Sequence, residues 1–234
     1  MKRKKKINKN NFIVLLATTF ILVLISGSIY YVNKLKIDTN ENYLLGISDT
    51  LRTIEINYND DKEEILLDIS TKLNKDLCCN KVNFNLKINE IKSLNVFTSK
   101  FCKTCMYSCF DWPHDNIMIN RNNEILYNES LLELDSIKFK IFKTLKKRNP
   151  IDKEYFKFRW DKTTSDTLIK KTFIEIQKGH LLYYENESKK LFHKSIGNLN
   201  KEELDSINKV KFNLYLDLSR MLDPIPLPPS QPIN

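Results

Sequence analysis

Residues 12–32 read FIVLLATTFILVLISGSIYYV, and the reading of this stretch decides how everything after it is placed. No ionisable side chain interrupts its 21 residues. A helix of that length reaches about 31 Å, the thickness of a bilayer's hydrocarbon core. Lipid offers backbone N–H and C=O groups no partner, and a helix pairs them internally. Lys2, Arg3, Lys4, Lys5, Lys6 and Lys9 precede the run, while Lys34 and Lys36 and then Asp38 and Glu41 follow it. The positive-inside bias therefore predicts a cytoplasmic tail (1–11), a transmembrane helix bounded by Phe12 and Val32, and an extracytoplasmic remainder. Tyr30 and Tyr31 stand where an aromatic belt anchors the outer interface. A cleaved signal peptide is the alternative, with Ser26-Gly27-Ser28 as the small-residue site. A lipoprotein signal needs a Cys just after the apolar run, and none is there. Proton and ion pathways use acids or bases held inside the membrane, and this run has neither, so it reads as an anchor. Thr18, Thr19, Ser26 and Ser28 suit hydrogen bonds to a neighbouring helix, which keeps a homodimer among the expectations.

The anchor also explains the net charge of +9. Residues 1–34 hold seven basic side chains and no acid; from Leu35 onward there are 31 basic and 29 acidic residues. The positive charge is thus a leader, whereas a phosphate-tracking groove needs it clustered on the folded part, so nucleic-acid binding is not expected. At 234 residues, 41% hydrophobic and 29% charged, the chain builds real cores. Four Gly exclude collagen-like and Gly-rich architectures.

Beyond a polar connector (33–50), two segments are distinguished. In 51–115, Ile54, Ile56 and Tyr58 alternate as a short strand. Asn59-Asp60-Asp61 caps a helix over 61–77 carrying Ile65, Ile69, Leu73 and Leu77, and 82–89 alternates again as a strand. Residues 95–115 show no period. In 116–222, Ile117/Ile119 and Ile125/Tyr127 flank the turn at Arg121–Asn123 as a hairpin. A helix over 131–145 and an aromatic strand, Tyr155–Trp160, follow. A long helix then starts near Thr163, with Thr163 and Asp166 at capping-box spacing and Gly179 marking a bend. Its stripe runs Ile169, Phe173, Ile176, His180, Tyr183, Tyr184 and Leu191. A short helix at 201–208 and an alternating strand, 210–219, complete it. The Pro-rich tail, 223–234, is extended polyproline-like chain. Strands and helices mix without regular βαβ alternation, so the fold class is α+β: helices packed on one face of a small mixed sheet.

All five cysteines, Cys78, Cys79, Cys102, Cys105 and Cys109, fall within 32 residues. Outside a membrane, disulfides are expected, their pairing open. Zinc is the sharper alternative, with Cys102-x2-Cys105 as a thiolate pair and Cys109, Cys78 or Cys79 and His114 as further ligands. Otherwise no cofactor is expected. His114, His180 and His193 form no ligand motif, and no nucleophile elbow, phosphate loop or dinucleotide fingerprint occurs, so no catalytic residue is assigned and no enzyme is expected. Phe156, Phe158 and Trp160 share one strand face, as core or as an aromatic platform.

The stretch from 116 to 228 resembles the ExbD/TolR family of biopolymer-transport proteins. IMINRNNEILYN (117–128) is similar to the family's first hairpin; YFKFRWD (155–161) with the helix after it looks like its central strand, acidic residue and long helix. YENESKKLF (184–192), LNKEEL (199–204) and DPIP (223–226) are similar to its longer-tailed branch. The resemblance implies a single-pass inner-membrane protein with a periplasmic domain, working with ExbB/TolQ-type partners in an envelope complex. The family's span carries an Asp for proton passage; here it has none, which implies an accessory or scaffold role without proton conduction. A membrane-tethered thiol, disulfide or zinc protein, and a surface binding module presenting the Pro-rich tail to a groove, are the other two expectations.

Overall fold

The computed structural model describes residues 9–78, 80–90, 92–100, 114–148 and 155–218, with side chains of the first helix from Thr18 onward. The basic tail up to residue 8, Phe12's side chain, Cys79, Cys102, Cys105, Cys109 and the tail 223–234 lie outside the described residues.

The first helix, α1, runs Lys9–Leu44, 36 residues and about 54 Å. It does not stop at Val32. The polar connector expected over 33–50 is helical through Leu44, because Ile37, Asn40 and Leu44 recur on one face and meet the folded domain. From Thr18 onward the apolar part stands clear of that domain: its most apolar window is wholly unburied.

The rest is one eight-stranded mixed sheet with helices. The elements are β1 (Thr53–Ile54), α2 (Lys62–Leu73), β2 (Val82–Lys87), β3 (Ser93–Thr98), β4 (His114–Ile119), β5 (Ile125–Tyr127), β6 (Ser130–Leu131), α3 (Ile137–Lys147), β7 (Tyr155–Trp160), α4 (Asp166–Phe192), α5 (Lys201–Ile207) and β8 (Leu214–Leu216). The strand order is β1-β2-β3-β8-β7-β4-β5-β6. The four central strands, β3, β8, β7 and β4, are parallel; hairpins flank them. Neighbouring parallel strands need a crossover: β4 reaches β7 through β5, β6 and α3, and β7 reaches β8 through α4 and α5. The segments 51–115 and 116–222 therefore contribute to a single sheet, and their apolar residues form one cluster.

Register fixes which residues are core. Phe84, Val96, Leu214, Leu216, Phe156, Phe158, Ile117 and Tyr127 lie on one face and are buried. α4 packs on it: Phe173 sits 4.5 Å from Phe158, and His180 5.3 Å from Phe156. Phe156, Phe158 and Trp160 are fully buried, so this face is core and presents no platform to solvent. The opposite face is mixed. There Phe97 stacks on Tyr215 at 5.2 Å, Tyr155 meets both rings edge-on, and His114 stacks on Tyr155.

Several boundaries differ from the periodicity reading, each for a local reason. α2 ends at Leu73 because Asn74 turns left-handed (φ 52°). The strand expected over 53–58 pairs only at Thr53 and Ile54, though Ile56 and Tyr58 are buried. Ser93–Thr98 forms β3, entering the stretch that shows no period: Leu94, Val96 and Thr98 are buried on one side and Phe97 on the other against Tyr155 and Tyr215, while Ser93 and Asn95 stay half-buried. The segment 131–136 holds β6 and a 3-10 turn before α3 begins at Ile137. Ser165, not Thr163, caps α4 by accepting from the Leu168 N–H, while Thr163 bonds Asp161. Leu191 is exposed, off the buried stripe. Gly179 marks a close helix crossing: a Cβ there would lie 2.6 Å from Ile141 Cβ and 2.9 Å from the Lys138 carbonyl of α3. Only Leu214–Leu216 of 210–219 pairs as strand.

Candidate functional site

Two regions concentrate polar groups that packing alone does not require. The first is the junction where α1 enters the domain. After α4, the chain turns through a 3-10 segment, Ile196–Asn198, before α5. Buried Asn40 donates its amide to the Ile196 carbonyl at 2.9 Å and the Leu199 carbonyl at 3.3 Å. Gly197 lies so close to Ile37 that a Cβ would fall 2.4 Å from Cγ1. Tyr43 donates to Asp205 on α5, and Leu44 and Leu45 are buried. Lys194 Nζ bonds Glu203 at 2.6 Å. That bond, helped by the Asn200 N–H, holds the Glu203 carboxyl below its usual range, with Lys36 of α1 adding a smaller share. Burial raises Glu41, and nearby Asp38 adds to it. The helix end is thus fixed by hydrogen bonds, an interlocking glycine and apolar burial together.

The second region lies at the carboxyl ends of β7 and β8, where open sheets with parallel strands hold ligands. Lys62, first residue of α2, places Nζ 3.2 Å from the centroid of Trp160, and that nitrogen is buried without a hydrogen-bond partner. Burial lowers its pKa to about 7, against the attraction of Asp217. Asp217 of the β8 end is buried and ion-paired with Arg159 and, at 3.1 Å, with Lys157. For Asp161, burial pushes the carboxyl up, but hydrogen bonds from the Thr163 N–H and hydroxyl outweigh it and hold it low. Trp160 Nε1 donates to the Tyr58 carbonyl at 3.0 Å. A half-neutral amine of this kind can accept or release a proton near neutral pH.

Cys78 is disulfide-bonded. Its backbone forms a single β-bridge with Lys100, whose N–H donates to the Leu77 carbonyl at 2.8 Å, so the segment after α2 meets the end of β3 there. Among the described residues no group of three His, Cys, Asp or Glu side chains is placed to hold a metal ion. His180 is buried, its Nδ1 3.0 Å from the Ile176 carbonyl; burial lowers its pKa to about 3, so the ring is neutral. An open cavity of about 600 Å³ is lined by Glu55, Asp60, Asp68 and Asp166 with Lys72 and Lys170, but Asp68 is paired with Lys72 at 2.7 Å.

Sequence reasoning did not single out Lys62, Asn40 or Gly197. Asn40 and Gly197 carry a usable signal, a buried-type spacing Ile37-Asn40-Leu44 and one of only four glycines. Lys62 carries none, since a lysine at a helix start reads as solvated. Comparison with protein-family models, with curated proteins and with solved structures finds no match.

Proposed function

We propose that the protein is a single-pass membrane protein of the inner (plasma) membrane whose N-terminus is cytoplasmic and whose sheet domain is extracytoplasmic. Its role is that of a non-catalytic accessory or scaffold subunit of an envelope complex, in the manner of the ExbD/TolR family that its second half resembles, without conducting protons itself. One observation carries this reading: α1 is a single helix whose apolar stretch is exposed from Thr18 onward, while its last turns are fastened to the domain. A soluble protein's core helix is buried, and a helix with an uncharged apolar run this exposed needs lipid around it. The end of the helix belongs to the domain's own packing through Asn40 and Leu44, so the exposed stretch leads straight into the fold.

The test is cross-linking in intact cells followed by solubilisation in mild detergent. The scaffold reading expects the full chain in an adduct with other membrane proteins, or with a second copy, that survives purification. Recovery of monomer alone across cross-linkers of different reach contradicts it.

A further inference from the structure

Helix α3, IKFKIFKTLKK, holds five lysines and no acid. Ile137, Ile141 and Leu145 face the core. The opposite side exposes Phe139, Lys140, Lys143, Lys146 and Lys147. On the flank toward α4, Lys138 reaches Glu175 at 3.8 Å, and just past the helix Arg148 bonds Asp115 at 2.9 Å. Among the described residues Lys140, Lys143, Lys146 and Lys147 form no ion pair; Lys140 and Lys146 lie only against the Tyr127 and Phe142 rings. In a domain whose charge is otherwise nearly balanced, this is a local concentration of one sign.

The direction of α3 gives the patch its address. Lys138 meets Glu175 and Ile141 meets Gly179, so α3 and α4 run the same way. The C-terminus of α4 leads directly to the 3-10 turn that grips Ile37 and Asn40 of α1. The lysine-rich end of α3 therefore points to the end of the domain where α1 arrives. Ile37 lies about 7 Å beyond Val32 along the helix, near the outer edge of the headgroup layer. By the same spacing the last turn of α3 ends about 11 Å short of the α4 terminus. A lysine side chain and a Debye length of about 8–10 Å cover that distance.

We propose that the outer face of α3 is a contact surface for the anionic phospholipid headgroups of the membrane that α1 crosses. The inference rests on the anchored topology above. Phospholipid phosphates and acidic headgroups supply the missing counter-charge, each lysine near such a surface adding favourable energy. Phe139, in the middle of the stripe, supplies an aromatic group suited to the interface. With α1 fixed to the domain at one point, this second contact would set the domain's lean on the bilayer.

The full chain is reconstituted into nanodiscs of phosphatidylcholine alone, and into discs in which about one lipid in three is phosphatidylglycerol. A water-soluble acetylating reagent is applied, and each lysine is read by mass spectrometry. Acetylation of Lys143, Lys146 and Lys147 should fall roughly threefold or more in the anionic discs and recover at about 1 M salt. Lys162, exposed beyond the carboxyl end of β7, should label equally in both. Equal labelling of the α3 lysines in the two discs overturns the surface and favours an acidic protein as the occupant. A chain recovered with neither disc overturns the anchor, and the surface with it.

Discussion

The two parts of α1 are one helix with opposite surroundings. From Thr18 to Leu35 its side chains are bare, Phe20 at 65% exposure and Tyr30 at 71%. From Ile37 to Leu45 it is gripped, with Asn40, Leu44 and Leu45 buried and Gly197 fitted against Ile37. Composition separates the two: the first part has no charge between Phe12 and Val32, whereas the second mixes Asp38, Asn40, Glu41 and Tyr43 into an apolar stripe. The helix carries its fold across the change of surroundings because its hydrogen bonds are internal in both. A flexible connector would let the domain drift; a continuous helix fixes its distance from the proposed membrane surface.

The strongest way to break this comparison is to make the bare part polar. Leu22→Arg, at the centre of the run, should cost about 2.5–3.5 kcal/mol of insertion free energy and move protein out of the alkali-washed membrane pellet. Retention in the pellet would mean that the run does not sit in lipid. Next, Gly197→Val forces a side chain into Ile37; it should lower domain stability by about 1–3 kcal/mol, read as a lower Tm of the full chain in detergent, while membrane retention stays unchanged. Adding Ile37→Ala to it should return part of the loss, and no such rescue would show that the two do not interlock. Asn40→Ala leaves the Ile196 and Leu199 carbonyls without their donor and should cost about 1–2 kcal/mol in the same melt.

A last effect, read as a slope against pH, lies far from α1. Lys62 has a folded pKa of about 7 against an ordinary 10.5, so between those values the unfolded chain binds more protons than the folded one. Stability should therefore rise with pH from about 7 toward 10.5 and be flat below 7 as far as this group is concerned. Lys62→Met should remove that slope and shift the fluorescence of Trp160 beneath it. A slope unchanged in the variant assigns it to other groups.

Legibility in the sequence followed the same division. The strand Tyr155–Trp160 and the hairpin through Arg121–Asn123 appear where alternation and turn residues place them, because each buries one face and register permits a single choice. The stripe Ile169, Phe173, Ile176, His180 and Tyr184 is buried as its spacing requires. β3 was not legible, since its alternation lasts only from Ser93 to Val96 and breaks at the adjacent buried pair Phe97 and Thr98. Nor was the sheet order, which joins β3 to β8 across 118 residues of sequence between Thr98 and Leu216. The extension of α1 to Leu44 was missed because Lys34, Lys36 and Asp38 look like the end of a span, and only the partner surface around Gly197 shows why the helix goes on. Of the polar sites, Lys62 owes its environment wholly to tertiary packing on Trp160, which no local pattern announces.

The side of the membrane on which the sheet domain lies is open to direct measurement. Alkaline phosphatase, active only outside the cytoplasm, and a green fluorescent protein, bright only inside it, can each be fused after the full chain. The topology argued here predicts an active phosphatase fusion, a dark fluorescent one, and both in the alkali-washed membrane pellet. A bright fluorescent fusion with an inactive phosphatase would contradict it.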